Sequence, residues 1–329
     1  MFFSLIIPVY NRPQELDELL HSLTLQTHKN FEVVVVEDGS SVPADKVVSK
    51  YNNLLTVHYY TKANSGPGQT RNYGAERSTG DYLIVLDSDC IIPPAYIESV
   101  ERALKSNPCE AFGGPDKAHD SFTDVQKAIN YSMTSFFTTG GIRGGKKKLD
   151  KFYPRSFNMG VKASVYRDLN GFSLMRFGED IDFSIRLYES GARVCLFPEA
   201  WVFHKRRVDF RKFFKQVYNF GIARINLEKR HPGSMKIVHL LPAVFTLGVI
   251  LLLFLSLFSL WFLLPLLLYS LMIFADAGIK EHNIKIGAIA VVASYIQLIG
   301  YGLGFLTAVW KRLIKREGEF GAYQKTFYK

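Results

Sequence analysis

The feature that most constrains this chain is a long apolar block, residues 237–275, which contains no aspartate, glutamate, lysine or arginine. A second uncharged block, residues 286–310, follows it closely. A helix that crosses a lipid bilayer needs about 20 apolar residues. The first block is therefore long enough for two such helices and the second for one. We predict an integral membrane protein whose water-soluble part lies on the N-terminal side of the apolar blocks.

The apolar blocks are predicted to form two or three hydrophobic helices, at 240–258, 261–279 and 287–309. Three full crossings would put the basic tail, residues 311–329, on the side opposite a cytosolic N-terminal part, although basic segments usually stay in the cytosol. Either one segment is re-entrant or interfacial, or this protein breaks the rule. The third segment is rich in glycine over 300–304, and we expect it to be the irregular one.

The segment before the first apolar block, residues 208–227, has the period of an amphipathic helix. Its charged residues and its position beside the apolar block indicate a helix that lies in the membrane interface. An ordinary amphipathic helix packed on the N-terminal part would show the same period. The residues expected on its apolar face are Phe210, Phe213, Phe214, Val217 and Ile225, with Arg211, Lys212, Lys215 and Asn219 elsewhere.

The formal net charge of +10 suits nucleic acid, an anionic membrane surface or phosphorylated ligands. Positive residues cluster beside the apolar blocks and no recognition module is evident, so we predict no nucleic-acid partner. The three cysteines show neither a disulfide framework nor a zinc pattern, which fits a reduced cytosolic setting. The N-terminal run MFFSLIIPVYN lacks a basic leader and is broken by Pro8. We expect a buried strand there, no signal peptide, and a cytoplasmic N-terminal part.

Residues 1–115 alternate short apolar runs with helical patterns. Strands are predicted at FFSLIIPV, FEVVVVEDGS, LLTVHYY, YLIVLD and EAFGGP, with helices between them. This alternation predicts an α/β fold with a mostly parallel sheet flanked by helices. Ligands of such sheets bind beyond the carboxyl ends of the strands, so Asn11, Asp38, Asp87 and Asp89 are expected to share one rim. Residues 120–176 are less regular, and the basic loop TTGGIRGGKKK within them is expected to be mobile.

Two carboxylates, Asp87 and Asp89, follow the predicted strand YLIVL. Hard cations such as Mg²⁺ and Mn²⁺ prefer carboxylate oxygen and often bind one or two carboxylates together with substrate phosphates. Aspartate is also common in turns. The pair by itself therefore allows either a metal site or a solvated strand end.

Other loops add polar groups to the same rim. Asp38 can accept a hydrogen bond from a base or cap the next helix. The loop KANSGPGQTRN leads into a helix whose first turn carries Arg71, and a helix N-terminus and a guanidinium both favour phosphate. A plain loop with a surface arginine is the alternative. The motif PVYNRP directs Asn11 and Arg12 toward the same crevice.

Another acidic pair, Glu179 and Asp180, opens a predicted helix in FGEDIDFSIR. Carboxylates in a first turn suit the helix dipole, and for Asp182 this explanation is sufficient. A general base must be an ionisable carboxylate held beside an incoming hydroxyl. Glu179 and Asp180 are the candidates for that role.

Taken together and in this order, the motifs PVYN, EDGS, SGPGQTRN, LDSDC and GED resemble glycosyltransferase family 2, whose members are inverting enzymes of the GT-A fold. The resemblance covers roughly residues 1–225. The C-terminal layout resembles the membrane-attached members that build bacterial exopolysaccharides and related glycans, in which a Q…G…R helix similar to QVYNFGIAR precedes the membrane segments. The Q-x-x-R-W motif of processive synthases is absent, and the family's usual ARN reads TRN here.

The resemblance implies a site for a nucleotide-sugar donor, a UDP- or GDP-sugar. Asp38 would contact the base, Arg71 would lie near the diphosphate, and Asp87 would face the ribose or the sugar. The full set of residues implied at the donor is Pro8, Val9, Tyr10, Asn11, Arg12, Asp38, Lys62, Asn64, Gly66, Arg71 and Asp87.

The resemblance also implies a metal ion and a base. Asp89 would bind Mg²⁺ or Mn²⁺, and Asp180 would be the catalytic base with Glu179 beside it. His204 follows a predicted strand in WVFHKRR. In some enzymes of this fold a histidine near this point contacts the metal or the diphosphate, and an interfacial histidine is the alternative.

The resemblance implies a membrane-anchored inverting glycosyltransferase of the cytoplasmic membrane, with its catalytic part facing the cytoplasm. The acceptor would be a hydroxyl, on a lipid-linked or other glycan, because an ionised polyprenyl phosphate needs no base. A polyprenyl-phosphate glycosyltransferase and a catalytically silent membrane scaffold are the alternatives. The predicted division is 1–207 for a GT-A catalytic domain, 208–236 for the interfacial helix, 237–310 for the membrane region and 311–329 for the basic tail.

Overall fold

The computed structural model describes residues 1–117, 119, 122–139, 151–205 and 209–319. Residues 140–148 of the loop predicted to be mobile, and the tail beyond residue 319, lie outside this part of the chain. Two compact units are present. The first comprises Met1–His119 and Asp150–Lys205, and the second comprises Asp120–Leu149 and Arg206–Lys329.

The first unit is built on a seven-stranded sheet of order β3-β2-β1-β4-β8-β6-β9, beside a three-stranded sheet of order β5-β10-β7. The strands are β1 (Phe3–Val9), β2 (Phe31–Asp38), β3 (Val57–Lys62), β4 (Tyr82–Leu86), β5 (Cys90–Ile91), β6 (Ala111–Gly113), β7 (Asp116–Lys117), β8 (Asn158–Lys162), β9 (Val194–Leu196) and β10 (Val202–His204).

The first four long strands pair in parallel, as the βα alternation predicts. Their apolar runs are continuous because both faces of the sheet are covered by helices, and Val33–Val36 are fully buried. Strand β8 pairs antiparallel with both β4 and β6, which the sequence did not predict. The predicted fold class, a mostly parallel sheet flanked by helices, is confirmed.

Six described helices of the first unit join or cover these strands. They are α1 (Pro13–Thr24), α2 (Asp45–Ser49), α3 (Pro67–Ala75), α4 (Tyr96–Ser106), α7 (Ala163–Asp168) and α8 (Glu179–Glu189). Helix α3 lies very close to the sheet. A Cβ atom added to Gly74 would stand 2.7 Å from the side chain of Ile6 and 3.2 Å from that of Val36. Only glycine allows this approach, which brings the start of α3 over the carboxyl ends of the strands.

The second unit is helical. Its described helices are α5 (Asp124–Thr134), α6 (Phe136–Thr139), α9 (Phe210–Arg230), α10 (Leu241–Leu255), α11 (Leu264–Lys280) and α12 (Ile284–Ala308), with a π-helical turn at Val309–Ile314. Helices α5 and α6 were predicted within a continuous N-terminal domain, 1–207. They group with the C-terminal helices instead, because Ala128, Ile129 and Met133 share a buried cluster with residues of α12.

The glycines of α12 do not interrupt the helix, and the placement of this segment as re-entrant or interfacial stays a prediction. Helix α12 runs without interruption over Ile284–Ala308, and its glycines allow close helix packing. A Cβ on Gly304 would lie 2.0 Å from the carbonyl oxygen of Tyr218 on α9, and one on Gly302 would lie 2.1 Å from Oγ1 of Thr246 on α10. Small residues at such crossings let two backbones approach closely.

Among the described residues, two helices are long and apolar enough to cross a membrane, Leu260–Lys280 and Ile284–Ile314. The helix predicted at 240–258 is shorter than expected, because α10 covers only Leu241–Leu255. Fifteen residues of α-helix extend about 22 Å, whereas the hydrocarbon core of a bilayer is about 30 Å thick. Helix α10 alone is therefore too short for a full crossing.

We expect Asn158→Ala to destabilise the first unit. The side chain is fully buried; its Nδ2 donates to the carbonyl oxygen of Ala200 (2.8 Å) and its Oδ1 accepts from the Tyr96 hydroxyl (2.6 Å). The alanine leaves both partners buried without a hydrogen bond, so the free energy of unfolding should fall by about 2–4 kcal/mol. Denaturant unfolding in mild detergent, followed by near-ultraviolet circular dichroism, measures this. The exposed Asn52→Ala is the control, and an equal effect in both variants would contradict the role given to Asn158.

Candidate active site

The loops that follow β1 and β2 are joined at the carboxyl edge of the large sheet. Asn11 adopts a left-handed conformation (φ 53°). Its backbone N–H donates to Ser40 Oγ (2.7 Å), and its side-chain Oδ1 accepts from the N–H of Val42 (2.9 Å). The structure therefore uses Asn11 to hold two loops of the rim together, while the implied contact with a donor remains a prediction.

Arg12 reaches from the start of α1 to the acidic pair after β4. Its guanidinium donates to Asp89 Oδ2. Burial disfavours the charged form of Arg12, but the pKa of the guanidinium is nevertheless raised, because Asp89 lies against it. The structure thus brings Arg12 and Asp89 together, as their predicted places on one rim require.

Arg71 connects the two acidic motifs. It lies on α3 and is only 3% exposed. Its Nη2 donates to Asp87 Oδ1 (2.7 Å) and its Nη1 donates to Glu179 Oε1 (2.9 Å). The ring of Phe172 lies 5.4 Å from the guanidinium carbon. Both terminal nitrogens thus bind carboxylates of the protein, and the implied place of Arg71 near the diphosphate stays a prediction.

Burial of Glu179 and the neighbouring charge of Asp180 raise the pKa of the Glu179 carboxyl to about 7. Arg71 opposes this shift, yet its single charge is shared between Glu179 and Asp87. The pKa of Arg71 is itself raised, since the two carboxylates outweigh the cost of burying the guanidinium. Glu179 is buried beside a second carboxylate, and both conditions disfavour its ionised form.

Asp89 and His204 form a candidate metal corner. Strand β10 pairs antiparallel with β5, which places His204 opposite Cys90. His204 Nε2 lies 3.3 Å from Asp89 Oδ1 and 3.9 Å from Asp87 Oδ2. Two ligands at right angles on one ion, each about 2.0–2.3 Å from it, are about 3 Å apart. The positions of Asp89 and His204 therefore suit a shared divalent ion.

Cys90 completes the group of potential ligands with Asp89 and His204. Burial and the charges of Asp89 and Asp87 raise the pKa of its thiol well above the usual value. Mg²⁺ and Mn²⁺ prefer carboxylate oxygen to sulfur, so Cys90 is a poor ligand for either ion. Carboxylate and imidazole together suit Mn²⁺, and carboxylate alone suits Mg²⁺.

Asp180 is the less buried member of its pair. It is the second residue of α8, its Oδ1 accepts from the N–H of Ile181 (2.9 Å), and its Oδ2 lies 3.7 Å from Arg155 Nε. Its side chain is 17% exposed, whereas that of Glu179 is 10% exposed. Asp180 is thus the carboxylate of this pair that a solvent-borne hydroxyl can more readily approach.

Asp38 organises the loop after β3. Its Oδ1 accepts from Lys62 Nζ (2.7 Å) and from the N–H of Ser65 (2.9 Å), and its Oδ2 accepts from the N–H of Gly66 (2.9 Å). Asn64 Nδ2 donates to the carbonyl oxygen of Asp38 (2.7 Å). The structure brings these four predicted donor residues together. These contacts show that Asp38 stabilises the conformation of this loop. That Asp38 also binds the nucleotide base of a donor remains a prediction.

The three remaining predicted residues lie at the end of β1. Val9 is buried in the core, whereas Pro8 and Tyr10 are half-buried. Val9 therefore supports the rim from below, and Pro8 and Tyr10 are the side chains of PVY that are accessible from the edge.

Sequence reasoning missed Arg155 and Asn72. Arg155 lies in a stretch without a readable motif, and its only signal is a basic residue shortly before a strand. Asn72 Oδ1 accepts from the N–H of Phe172 (2.8 Å) and its Nδ2 donates to the carbonyl oxygen of Phe172 (2.8 Å). This holds the segment that leads to α8 against α3. The asparagine of TRN was visible, but its partner lies about a hundred residues away.

The sequence profile described as Glycosyl transferase family 2 matches residues 4–170, about half of the chain. The chain belongs to this family. An uncharacterised glycosyltransferase of Haemophilus influenzae is 31% identical over 195 residues, which are 56% of this chain and 62% of that protein. The chain spans less than two thirds of the length of the curated relatives that it matches.

Two solved structures share the fold. The mannosyltransferase PcManGT from Pyrobaculum calidifontis, in complex with GDP-Man and Mn²⁺, aligns with a TM-score of 0.58 and 15% identity, over 96% of this chain and 88% of that one. TarS 1–349 of S. aureus, in complex with UDP-GlcNAc, aligns with a TM-score of 0.50 and 22% identity, over 69% and 67%. The GT-A fold is therefore shown for this member of glycosyl transferase family 2.

We expect Glu179→Gln to change how stability depends on pH. The Glu179 pKa is about 7 in the folded protein and ordinarily 4.5, so between these values the unfolded chain releases a proton that the folded state keeps. The free energy of unfolding of the wild-type protein therefore falls as pH rises between these values. The fall is due to Glu179 and ends near pH 7.

Thermal unfolding measured in detergent at pH values from about 4.5 to 8 tests this prediction. The difference in unfolding free energy between the glutamine variant and wild type should shift in favour of the variant as pH rises to 7, then stay constant. A difference that does not vary with pH would show that Glu179 titrates normally.

Proposed function

We propose that this protein is a membrane-anchored inverting glycosyltransferase that moves a sugar from a UDP- or GDP-sugar to a hydroxyl acceptor. The observation that carries the proposal is the bridge from Asp87 through Arg71 to Glu179. It joins the acidic pair of the metal corner to the helix that bears Asp180. Donor, metal and base are thereby assigned to one edge of the sheet.

The donor is assigned to the rim formed by the loops after β1, β2 and β3. The shared fold of proteins in complex with UDP-GlcNAc and with GDP-Man supports a nucleotide-sugar donor. Asp89 and His204 would hold Mg²⁺ or Mn²⁺. When bound, such an ion neutralises negative charge on the departing nucleoside diphosphate.

Asp180 is assigned as the general base. It accepts the proton of the acceptor hydroxyl while that oxygen attacks the anomeric carbon from the face opposite the diphosphate. The bond from the anomeric carbon to the phosphate oxygen breaks, the nucleoside diphosphate leaves, and the configuration inverts. Arg155 Nε lies 3.7 Å from Asp180 Oδ2 and so borders the proposed base. Glu179, buried on Arg71, holds the start of α8 in place.

The acceptor is proposed to be a hydroxyl on a lipid-linked glycan. A carboxylate that is partly open to solvent is needed to deprotonate a hydroxyl, whereas a polyprenyl phosphate is already ionised. The lipid component is supported by the apolar surface of the second unit. Leu257, Phe258, Leu260 and Trp261 are each at least 75% exposed, and large exposed apolar patches mark interaction sites. We assign the protein to the cytoplasmic membrane, with the first unit in the cytoplasm.

Asp180→Asn should abolish transfer while donor binding persists, because the amide cannot accept the proton but keeps nearly the same shape. The assay incubates purified protein and native membrane lipids with a panel of nucleotide sugars and Mn²⁺ or Mg²⁺. Loss of activity should reach about 10²–10⁴-fold. Asp168→Asn, on the exposed side of α7, is the control. Normal transfer by Asp180→Asn to a polyprenyl phosphate would instead support synthesis of a lipid-linked sugar.

Removing either proposed metal ligand should weaken metal binding. We expect Asp89→Asn and His204→Ala each to raise the dissociation constant for Mn²⁺ by about 10–100-fold, as loss of a ligating or supporting group typically does. Electron paramagnetic resonance of free Mn²⁺, in the presence of nucleoside diphosphate, measures this without turnover. Cys90→Ser should bind Mn²⁺ like wild type. Unchanged affinity in Asp89→Asn would exclude this corner as the metal site.

A further inference from the structure

Helix α12 is flanked by the amphipathic helices α5 and α9 along its whole length. At its start, Lys285 Nζ pairs with Asp124 Oδ2 of α5 (2.8 Å). Further along, Ser132 Oγ of α5 donates to Gln297 Oε1 (3.3 Å). Helix α5 thus makes polar contacts with the first half of α12.

Helix α9 packs along the second half of α12 and runs parallel to it. Phe214 and Val217 pack on Gly300, and the Tyr218 hydroxyl donates to Thr307 Oγ1 (3.0 Å). At the end of α12, Arg312 in the π-helical turn donates through Nε to Asn226 Oδ1 of α9 (3.0 Å). The two helices remain side by side from the middle of Ile284–Ile314 to its end.

This packing places two lysines of α9 beside the middle of α12. Lys215 is the residue after Phe214, which packs on Gly300, and Lys212 lies one turn earlier and is exposed. If α12 crossed a bilayer, Gly300 would lie near its centre and these lysines would be carried into hydrocarbon. Ionisable side chains are rarely tolerated at that depth unless they face the interior of a bundle or a water-filled cavity. A length sufficient for a crossing is therefore no evidence that α12 makes one.

The helices α10 and α11, with the connection between them, form an apolar hairpin. Along the connection, the N–H groups of Ser256, Leu257, Phe258 and Ser259 donate to carbonyl oxygens of α10. The N–H groups of Phe262 and Leu264 also donate to carbonyl oxygens of nearby residues in the chain. Hydrocarbon offers no partners for backbone groups, so such internal pairing is what a turn inside a bilayer requires.

Both ends of this hairpin are tied to other helices of the second unit, α11 to α5 and α10 to α12. At the end of α11, Asp276 Oδ2 accepts from the Tyr131 hydroxyl of α5 (2.5 Å) and from Lys280 Nζ (2.8 Å). At the start of α10, Pro242 and Thr246 pack on Gly302 of α12. The charged contacts described for the second unit thus lie at α5, at α9 and at the helix ends, whereas exposed apolar side chains occur along both arms of the hairpin and at its tip.

We propose that the second unit is a monotopic membrane module, in which α12 lies along the interface and the α10–α11 hairpin dips into one leaflet and returns. Its partner is the hydrocarbon of that leaflet beneath anionic headgroups. The basic residues Lys229, Arg230, Lys311 and Arg312 lie in the last turns of α9 and of the π-helical turn, where Lys229 Nζ is 3.4 Å from the carbonyl oxygen of Arg312, and this suits such headgroups. The proposal rests on the membrane attachment of the proposed function. It places the basic tail on the side of the first unit without a third crossing.

Single cysteines report on which side of the membrane each segment lies. The three native cysteines are buried, so wild type is the background control for a membrane-impermeant maleimide. The variants are Ser259→Cys at the hairpin tip, Glu281→Cys between α11 and α12, Lys315→Cys after α12, and Ser49→Cys on the first unit. Each is expressed as the full chain, and labelling is compared in intact cells, inside-out membrane vesicles and detergent.

We expect Glu281→Cys and Lys315→Cys to label from the same side as Ser49→Cys, and Ser259→Cys to label only after detergent is added. Labelling of Glu281→Cys and Lys315→Cys from opposite sides would overturn the proposal, because α12 would then cross. Labelling of Ser259→Cys from the side opposite Ser49→Cys would overturn it as well. If instead wild type remains in the supernatant after ultracentrifugation, membrane attachment itself fails, while the transfer assay still tests the enzymatic proposal.

Discussion

The first unit depends on one buried cation, Arg71. Its guanidinium joins Asp87, which follows a strand, to Glu179, which begins a helix about ninety residues later. Truncating Arg71 would leave buried carboxylates uncompensated, a change that commonly costs about 3–5 kcal/mol. Because all three side chains lie at the edge where the proposed chemistry occurs, the interaction that stabilises this edge also sets the distance between the metal corner and the base.

The two carboxylates at the start of α8 have different proposed roles because they lie in different environments. Glu179 faces inward onto Arg71, and burial beside Asp180 raises its pKa. Asp180 is more exposed and lies beside Arg155. In the proposed reaction the exposed carboxylate accepts a proton and the buried one positions the helix. Neither task could be exchanged without moving α8, because adjacent helical residues point in different directions.

The second unit obeys a related constraint, that polar groups need partners wherever water is excluded. Its charged residues occur on α5 and α9 and near helix ends, whereas the α10–α11 hairpin presents apolar side chains outward. Under the proposed function, this arrangement allows one chain to use a water-soluble donor and a lipid-linked acceptor. The small residues of α12 make it possible, since they let α9 and α10 pack closely on opposite sides.

The sequence by itself determined the parallel α/β core, the helical C-terminal region and the acidic motifs, because strand periodicity, apolar runs and turn residues are local signals. It did not reveal β8, Arg155 or the partners of Arg71. These depend on contacts between residues that are distant in the chain, and no local pattern encodes such a contact. The same limit applies to Gly300, Gly302 and Gly304. Local propensity marks glycine as a helix breaker, while only the tertiary structure shows that neighbouring backbones occupy the space that side chains would need.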